Sequence, residues 1–446
     1  MPKQAKRASR GLPSTTFVLD NGAYTMKAGV PGSSLDPPTC RIVPNCIARS
    51  REKRIYIGAE LDSCEDFGEM IFRRPVEKGF LVNWEGEKCI WDRTFFDTKL
   101  ISRKVSPSES TLILTEAPNC PHQLQLNTDQ IVFEEYKFGG YYRCIGSSLN
   151  AYNDLTSLFK EPQSKPSDAV APAECLLVID SGYSHTTITP LLNGRPVQHA
   201  IRRLDIGGKL LTNYLKELIS LRHYGMMDET HLVNEIKEDA CFVTSNFSRD
   251  LERTWKGGLR DHREVDTSMV VDYVLPDYTT RRRGFVRPHD PSHSAKMRRL
   301  GAGGPHDGPR EDVVPLGNER FVVPELLFNP ADIGMQEAGI VGMVFESLSQ
   351  IPPSLWQAML GNVLIVGGNT KIQGFTDRFR RELREIAPSQ YVVRVAVPDD
   401  PIKSSWLGGA RLASSRENLE ALAVTRQEYE EHGPHLLSQK FSNRIK

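Results

Sequence analysis

Residues 17–30 read FVLDNGAYTMKAGV, and a related pattern returns at residues 176–182 as LLVIDSG. In each stretch an apolar run ends in an aspartate, Asp20 or Asp180, and a polar residue and a glycine follow it. This pattern predicts a buried strand that turns into a hairpin. Two such hairpins in successive parts of one chain predict a duplicated α/β fold with a ligand held between the copies.

Both hairpins carry groups that suit a phosphate ligand. Consecutive backbone N–H groups in such turns bind phosphate oxygens. Asp20 and Asp180 are hard oxygen ligands that fit a hydrated Mg²⁺ or Ca²⁺ better than a zinc ion. Glycine pairs at 207–208 and 367–368 allow the backbone to approach a flat base or a ribose closely. Spacing alone leaves two interpretations open, a nucleotide cleft and a set of ordinary turns.

The composition excludes several classes of protein. Lysine plus arginine and aspartate plus glutamate both number 56 in 446 residues, so no basic field covers the whole chain and any nucleic-acid contact is local. No apolar stretch approaches 18 residues, so we expect no membrane span. The eight cysteines are scattered without a CxxC pair, which argues against a zinc ribbon and against a disulfide scaffold. Reduced thiols in the nucleus or cytosol are expected.

The chain resembles the actin superfamily over about residues 15–446. The matching stretches occur in the order of that family, and they include LDNGAYTMKAG, PVEKGFLVNWEGEKCIWDRTFF, LILTEAPNCP, IDSG, LDIGGKLLTNYL, IKEDACFV, GNERFVVPELLFNP, IVGGNTKIQGFTDR and SSWLGGARLAS. The resemblance implies an α/β, actin-like (duplicated ribonuclease-H-like) fold with two lobes around a central nucleotide cleft. ATP or ADP with Mg²⁺ or Ca²⁺ is the implied ligand, and an empty cleft is the alternative.

The resemblance also assigns the site, residue by residue. Asp20 and Asp180 are the expected metal ligands. The expected nucleotide contacts are Asp20, Gly22, Ala23, Tyr24, Lys27, Asp180, Ser181, Gly182, Tyr183, Gly208, Lys237, Glu238, Gly367, Gly368 and Asn369.

Some positions depart from the family pattern. Ala23 and Tyr24 replace a serine and a glycine in the first phosphate loop, and Tyr183-Ser184 replaces an acid–glycine pair in the second. Gly146 and Thr187 stand where actin has the glutamine and histidine that orient the attacking water. Because phosphoryl transfer depends on that positioning, we expect no catalytic residue and a pseudo-ATPase. His185 is the alternative, since on a strand its side chain shares a face with that of Thr187.

The resemblance and the composition together predict the domain boundaries. Residues 160–174 and 280–312 lack apolar periodicity, and the second segment is rich in Arg, Gly, Pro and His, which is typical of disorder. We expect a disordered basic tail (1–13), a small lobe (14–160), a surface loop (161–174), a large lobe (175–385) with a disordered basic insertion (280–312), and a C-terminal return to the small lobe (386–446). The basic tail is either a solvated segment or a nuclear-import or nucleic-acid tail.

Within the superfamily, the stretches DNGAY, DSGYS and VRVAVPDDP are most similar to a nuclear class of actin-related proteins. Proteins of that class are subunits of Swr-type chromatin remodelling complexes, which exchange a variant histone into nucleosomes. The resemblance implies a nuclear location, with the cytoplasm as a second one. It implies as partners the remodeller ATPase subunit, a small zinc-finger HIT-type protein and other subunits, with contact to the nucleosome or DNA through the complex.

These observations favour a non-catalytic scaffold subunit over two alternatives. One alternative is an ATPase switch of the actin or chaperone type, which needs His185 to replace the missing glutamine. The other is a cytoskeletal actin-related protein. The segment 45–55, NCIARSREKRI, is shorter than the filament loop of actin and basic rather than apolar, so we expect no self-polymerisation.

Overall fold

A computed structural model describes residues 11–32, 40–96, 105–159, 171–254, 266–291 and 311–442. Helices and strands alternate along the chain in an α/β arrangement, as the sequence predicts. No helix in these ranges is long and apolar enough to cross a membrane.

Twenty strands are present in the described residues. In the first part of the chain they are β1 (Thr15–Asn21), β2 (Thr25–Gly29), β3 (Arg41–Pro44), β4 (Ile47–Arg49), β5 (Ile55–Ile57), β6 (Ile71–Arg73), β7 (Val76–Glu77), β8 (Phe80–Leu81), β9 (Ser110–Glu116) and β10 (Gly140–Ile145). In the second part they are β11 (Cys175–Ser181), β12 (Thr186–Leu192), β13 (Arg195–Pro196), β14 (Arg202–Leu204), β15 (Val271–Val274), β16 (Phe285–Pro288), β17 (Val313–Leu316), β18 (Val363–Val366), β19 (Val395–Ala396) and β20 (Val424–Thr425).

The α-helices of the described residues are mostly short. The first seven are α1 (Trp84–Phe96), α2 (His122–Gln130), α3 (Gly146–Leu149), α4 (Leu155–Phe159), α5 (Gly208–Arg222), α6 (Thr230–Ala240) and α7 (Phe247–Thr254). The others are α8 (Glu319–Glu325), α9 (Ile340–Leu348), α10 (Trp356–Leu360), α11 (Phe375–Ile386), α12 (Ser404–Ser414), α13 (Arg416–Leu422), α14 (Arg426–His432) and α15 (Pro434–Phe441). Helix α5 begins at the second glycine of the Gly207-Gly208 pair, and α11 begins at Phe375.

The two central sheets repeat one topology. In the small lobe β1 pairs antiparallel with β2 and parallel with β9, which pairs parallel with β10. In the large lobe β11 pairs antiparallel with β12 and parallel with β18, which pairs parallel with β19. The predicted duplication is therefore confirmed, and it places the ends of β1 and β11, with Asp20 and Asp180, at equivalent positions.

Each lobe has its own apolar core. In the small lobe, the side chains of β1 and β9 pack against Trp91 and Phe95 of α1, both fully buried. In the large lobe, β11 and β18 pack against α5, α9 and α11. The two cores fix the hairpins β1–β2 and β11–β12, whose turns carry the candidate site.

The chain returns to the small lobe later than the sequence predicts. The predicted boundary at residue 386 is wrong, because β19 at 395–396 still pairs with β18 of the large-lobe sheet. The return occurs between β19 and α12, which packs on β1 and α3. The indole Nε1 of Trp406 donates a hydrogen bond to the carbonyl of Val18, 3.0 Å away, and so fastens α12 to the strand that leads into the first loop.

The predicted disorder of 280–312 is wrong for its first part. Phe285–Pro288 form β16, which pairs antiparallel with β15. Basic side chains of this segment pair with acids, since Arg281 and Arg287 pair with Glu311 of the same segment and Arg283 pairs with Asp239 of α6. These ion pairs, together with the pairing of β16 with β15, hold the first part of the segment in the fold despite its low apolar content. Residues 292–310 lie outside the described part of the chain.

Two other predicted boundaries concern segments that are only partly described. Residues 1–10 of the predicted tail lie outside the described residues, but Leu12 is buried among Val18 and Leu419. The tail prediction is therefore wrong for residue 12, which belongs to the fold. Residues 161–170 of the predicted surface loop also lie outside the description, and Ala173 already donates its N–H to the carbonyl of Ala151.

Candidate functional site: a cleft between two loops

The turns of the two hairpins face a common cleft of about 600 Å³. It is lined by residues of both lobes, from β1, β9 and α3 on one side and from β11, α5, α6 and β18 on the other. Of the predicted site residues, those that line it are Asp20, Gly22, Ala23, Tyr24, Lys27, Asp180, Gly182, Tyr183, Gly208, Lys237, Glu238, Gly367, Gly368 and Asn369. The fold therefore brings together predicted site residues that are up to 349 positions apart in the sequence.

Ser181 is the exception, and its assignment as a contact is wrong for its side chain. Successive residues of a strand point to opposite faces, so when Asp180 faces the cleft Ser181 points away from it. The Ser181 side chain is fully buried, and its hydroxyl contacts Thr186 at 2.8 Å. Ser181 instead accepts a hydrogen bond from Asn369 and supports the cleft wall from behind.

The first loop is held by a small network of polar side chains. The Asp20 carboxylate pairs with Lys27 at 3.3 Å and accepts a hydrogen bond from the Thr115 hydroxyl at 2.8 Å. The backbone N–H of Asn21 donates to the same hydroxyl, and Asn45 donates to the carbonyl of Gly22. Thr115 and Asn45 were not predicted, because nothing in their local sequence marks them as neighbours of this loop.

The second loop begins at Asp180, which is half-buried and lies close to the negative charge of Asp20. Burial and the nearby Asp20 charge raise the pKa of Asp180 to about 6, while Lys27 lowers it. Gly367 closes the loop from the neighbouring strand with a φ of +95°, and a Cβ there would stand 2.4 Å from the carbonyl oxygen of Ser181. Only glycine fits this close approach.

The two loops fit a phosphate group. The N–H of Gly22 is bonded to the carbonyl of Asp20 and that of Gly182 to the carbonyl of His185. The four N–H groups that follow, two in each loop, donate to no acceptor among the described residues: Ala23, Tyr24, Tyr183 and Ser184. A pair of turns with consecutive unsatisfied N–H groups is a general way to bind an anion.

The residues also fit a divalent cation that arrives with the phosphates. No cluster of three or more potential ligand side chains exists in the described ranges, so the protein alone does not form a closed metal cage. Asp20 and Asp180 are two carboxylates close enough for their charges to interact. Mg²⁺ usually keeps several waters and binds one or two carboxylates together with substrate phosphates. When bound, such an ion would neutralise phosphate charge.

The positions that the family uses for water orientation carry no equivalent groups. Gly146 begins α3 beside the first loop, and a Cβ there would have only ordinary contacts, the nearest at 3.6 Å from Thr115. Thr187 lies in β12 and is 2% exposed. Both line the cleft.

His185 lies at the cleft but does not take the predicted position. It precedes β12, so it is a turn residue rather than a strand neighbour of Thr187. Its ring faces the small lobe, since a Cβ on Gly79 would stand 2.3 Å from Cε1 and 2.7 Å from Nδ1. Burial and Arg203 lower the pKa of His185 to about 4, so the ring is neutral at physiological pH. The ring of His185 therefore packs between the two lobes, against Gly79.

The two unusual tyrosines meet each other across the cleft. The ring centroids of Tyr24 and Tyr183 are 4.8 Å apart, and the Arg74 guanidinium lies 4.4 Å from the first ring centroid and 5.2 Å from the second. Arg74 also donates to the carbonyls of Tyr24 and Asn45. We call Tyr24, Tyr183 and Arg74 the tyrosine clamp. The sequence indicated both tyrosines but not Arg74, whose only signal is the basic pair at 73–74.

A buried carboxyl lies beneath the first loop. Glu87 of α1 is fully buried, accepts a hydrogen bond from the Trp91 indole at 2.9 Å and contacts Asn45, which holds the loop. Its second oxygen and the Asn45 Oδ1 atom have no partner among the described residues. Burial raises the pKa of Glu87 to about 7, whereas hydrogen bonds from its neighbours lower it. A proton on Glu87 or an amide in its place satisfies this region better than a carboxylate.

We therefore expect Glu87→Gln to stabilise the protein at pH 8 by about 2 kcal/mol and to have little effect at pH 5. The folded state binds this proton more tightly than the unfolded state, whose pKa is near the usual 4.5, so stability falls as pH rises from about 4.5 to 7. Urea unfolding of both proteins between pH 5 and pH 8 measures the effect. The exposed Glu85→Gln on the same helix is the control, and equal curves for all three proteins would contradict the assignment.

Comparison with known proteins agrees with this architecture. The family model described as Actin matches residues 11–442. The chain is 53% identical to the actin-like protein arp6 of Aspergillus fumigatus, with 99% of this chain and 98% of that protein covered. It is 51% identical to actin-related protein 6 of Neurospora crassa (99% and 97% covered) and 39% identical to actin-related protein 6 of Drosophila melanogaster (95% and 98% covered).

Proposed function

The chain belongs to the actin family as an actin-related protein, and from that premise we propose that it is a non-catalytic scaffold subunit of a Swr-type chromatin remodelling complex. In this role the chain links the remodeller ATPase subunit to a small zinc-finger HIT-type protein and to the nucleosome, in the nucleus. The resemblance of its sequence to the nuclear class of actin-related proteins supports this assignment. Its cleft holds ATP or ADP, with Mg²⁺ or Ca²⁺, as a structural ligand.

The observation that carries the absence of catalysis is the pair of positions Gly146 and Thr187. Hydrolysis requires a water aligned on the terminal phosphate, and orientation of that water accounts for much of the rate. Glycine offers no side chain for this task, and a threonine hydroxyl is shorter than an imidazole. Each loss of about 1.4 kcal/mol of transition-state stabilisation lowers the rate tenfold.

An ATPase switch is the second candidate, and one observation bears on it. His185 lines the cleft and its Nδ1 atom lacks a partner among the described residues, so the ring is a neutral group with a free nitrogen. The same nitrogen faces Gly79 of the opposite lobe, which argues for packing rather than for activation of a water.

We expect the purified full-length chain to release no phosphate from ATP above the buffer rate. Steady-state phosphate release, with and without the Asp180→Asn and His185→Ala substitutions, tests this. If the chain releases phosphate and Asp180→Asn abolishes that release, the scaffold proposal is wrong. If His185→Ala abolishes it as well, the chain is an ATPase switch.

A second experiment tests the partners. Size-exclusion chromatography with the remodeller ATPase subunit and the HIT-type protein should give one complex, and separate elution would contradict the partner assignment.

A further inference from the structure

The resemblance to the actin family implies that Gly208, Lys237 and Glu238 line the base and ribose, and in this wall the Lys237 ammonium is already satisfied by the protein itself. The buried Lys237 ammonium donates to the Gly208 carbonyl at 3.2 Å, to Thr212 at 2.9 Å and to Asn234 at 2.8 Å. Glu238 accepts a hydrogen bond from Asn234 at 2.8 Å. An ammonium has three protons to donate, so Lys237 has none left for a ligand.

The tyrosine clamp covers this same wall. A Cβ on Gly208 would lie 3.5 Å from Cδ2 of Tyr183, so the ring stands beside this glycine at the start of α5, at the distance of a van der Waals contact with a side chain there. The Asn234 amide donates to the Tyr24 hydroxyl at 3.3 Å and thereby ties the other ring to α6 of the large lobe. Burial raises the pKa of Tyr24 to about 12, so its hydroxyl stays protonated.

The clamp also divides the space between the lobes. Tyr24, Tyr183 and Asn234 line both the cleft and a second cavity of about 860 Å³ between β6 and the helices α5 and α6. A sugar that entered along this wall would have to displace two rings that contact each other at a tilt of 34°, a cation over their faces and a cross-lobe hydrogen bond. Each of these contacts is favourable on its own, so its loss lowers the affinity for the entering group.

The phosphate side of the cleft shows the opposite condition. The N–H groups of Ala23, Tyr24, Tyr183 and Ser184 have no acceptor among the described residues. An anion placed there gains charge-assisted hydrogen bonds without breaking a contact of the clamp.

We propose that this cleft recognises the diphosphate group itself, as pyrophosphate or as the diphosphate of a nucleotide, with little preference for the nucleoside attached to it. The proposal rests on the ligand-holding cleft of the proposed function and narrows its ligand. Tyr24 and Tyr183 are the residues that set this specificity, because their side chains lie against the wall that the resemblance assigns to the sugar.

Titration calorimetry of the full-length chain with magnesium pyrophosphate, Mg-ADP and Mg-ATP tests the proposal. We expect the dissociation constants of pyrophosphate and ADP to agree within about threefold. A preference of wild-type protein for ADP of thirtyfold or more would overturn the proposal, as would the absence of binding by both ligands. Phosphate release and complex formation are measured separately, so this titration does not decide whether the chain is a non-catalytic scaffold subunit.

The variant Tyr24→Ala/Tyr183→Ala isolates the role of the rings. We expect it to bind ADP at least tenfold more tightly than wild type while its affinity for pyrophosphate changes less than threefold. Asn234→Ala, which frees Tyr24 and one proton of Lys237 without removing a ring, should shift ADP affinity in the same direction by a smaller factor and serves if the double variant does not fold. The exposed Tyr224→Ala is the control. Unchanged ADP affinity in the folded clamp variants would overturn the proposal.

Discussion

The Gly408→Ala variant is expected to lose about 3 kcal/mol of stability, although alanine favours a helix over glycine. Gly408 lies inside α12, where a Cβ would stand 1.9 Å from the carbonyl oxygen of Leu149 and 2.6 Å from its carbonyl carbon. The helix has no freedom to withdraw, because Trp406 is buried and bonded to Val18. The methyl group therefore separates α12 from α3 and from the strand that leads to Asp20.

Urea unfolding, followed by far-ultraviolet circular dichroism, measures this loss. The control is Gly225→Ala, because no heavy atom lies within 4 Å of a Cβ at that position. We expect the control to equal the wild type or to exceed it by a few tenths of a kcal/mol, through the reduced freedom of its unfolded chain. Equal stability of the two variants would show that α12 adjusts to the methyl group, and the proposed rigid attachment would be wrong.

Local features of the fold could be predicted from the sequence, whereas contacts between distant residues could not. The hairpins after Asp20 and Asp180 are local, so an apolar run and a turn dipeptide identify them in the sequence. The pairing of β19 with β18 joins residues some 30 positions apart and depends on two residues of strand, which no local pattern marks. Strand β16 pairs with β15, and its Arg287 pairs with Glu311, and composition alone cannot indicate such partners.

The residues of the candidate site show the same difference between local motifs and contacts across the fold. Residues carried on a motif, such as Asp180 and Gly367, were placed in the cleft correctly. Residues that act from another part of the chain, such as Arg74 and Asn234, were missed, because their role arises only when the lobes meet. Ser181 was assigned wrongly because the motif names three consecutive residues while a strand presents alternate ones.

A second large effect is expected for Arg143→Met, which removes the centre of a buried ionic network. Arg143 is 4% exposed and binds Glu116 at 2.7 Å and Asp129 at 2.9 Å. Breaking a buried ion pair leaves an uncompensated charge and typically costs 3–5 kcal/mol, so we expect a loss of about 4 kcal/mol at pH 8. Arg426→Met, which removes an exposed pair with Glu430, is the control and should cost less than about 0.5 kcal/mol.

The pH dependence distinguishes loss of charge pairing from loss of packing. Burial raises the pKa of Glu116 and of Asp129, while Arg143 lowers both. Removal of Arg143 therefore raises both pKa values further above those of the unfolded chain, and the variant becomes less stable as pH rises. We expect the difference from wild type to be clearly smaller at pH 5 than at pH 8.

The same substitution reaches the candidate site, because Glu116 lines the cleft at the end of β9, next to Ile145 at the end of β10. Arg143 holds these two strand ends together by pairing Glu116 with the strand that precedes α3. We expect Arg143→Met to weaken binding of magnesium pyrophosphate at temperatures where the variant is still folded, and calorimetry at pH 8 measures this. A loss of stability that is equal at pH 5 and pH 8, with unchanged pyrophosphate affinity, would mean that Arg143 contributes by packing alone.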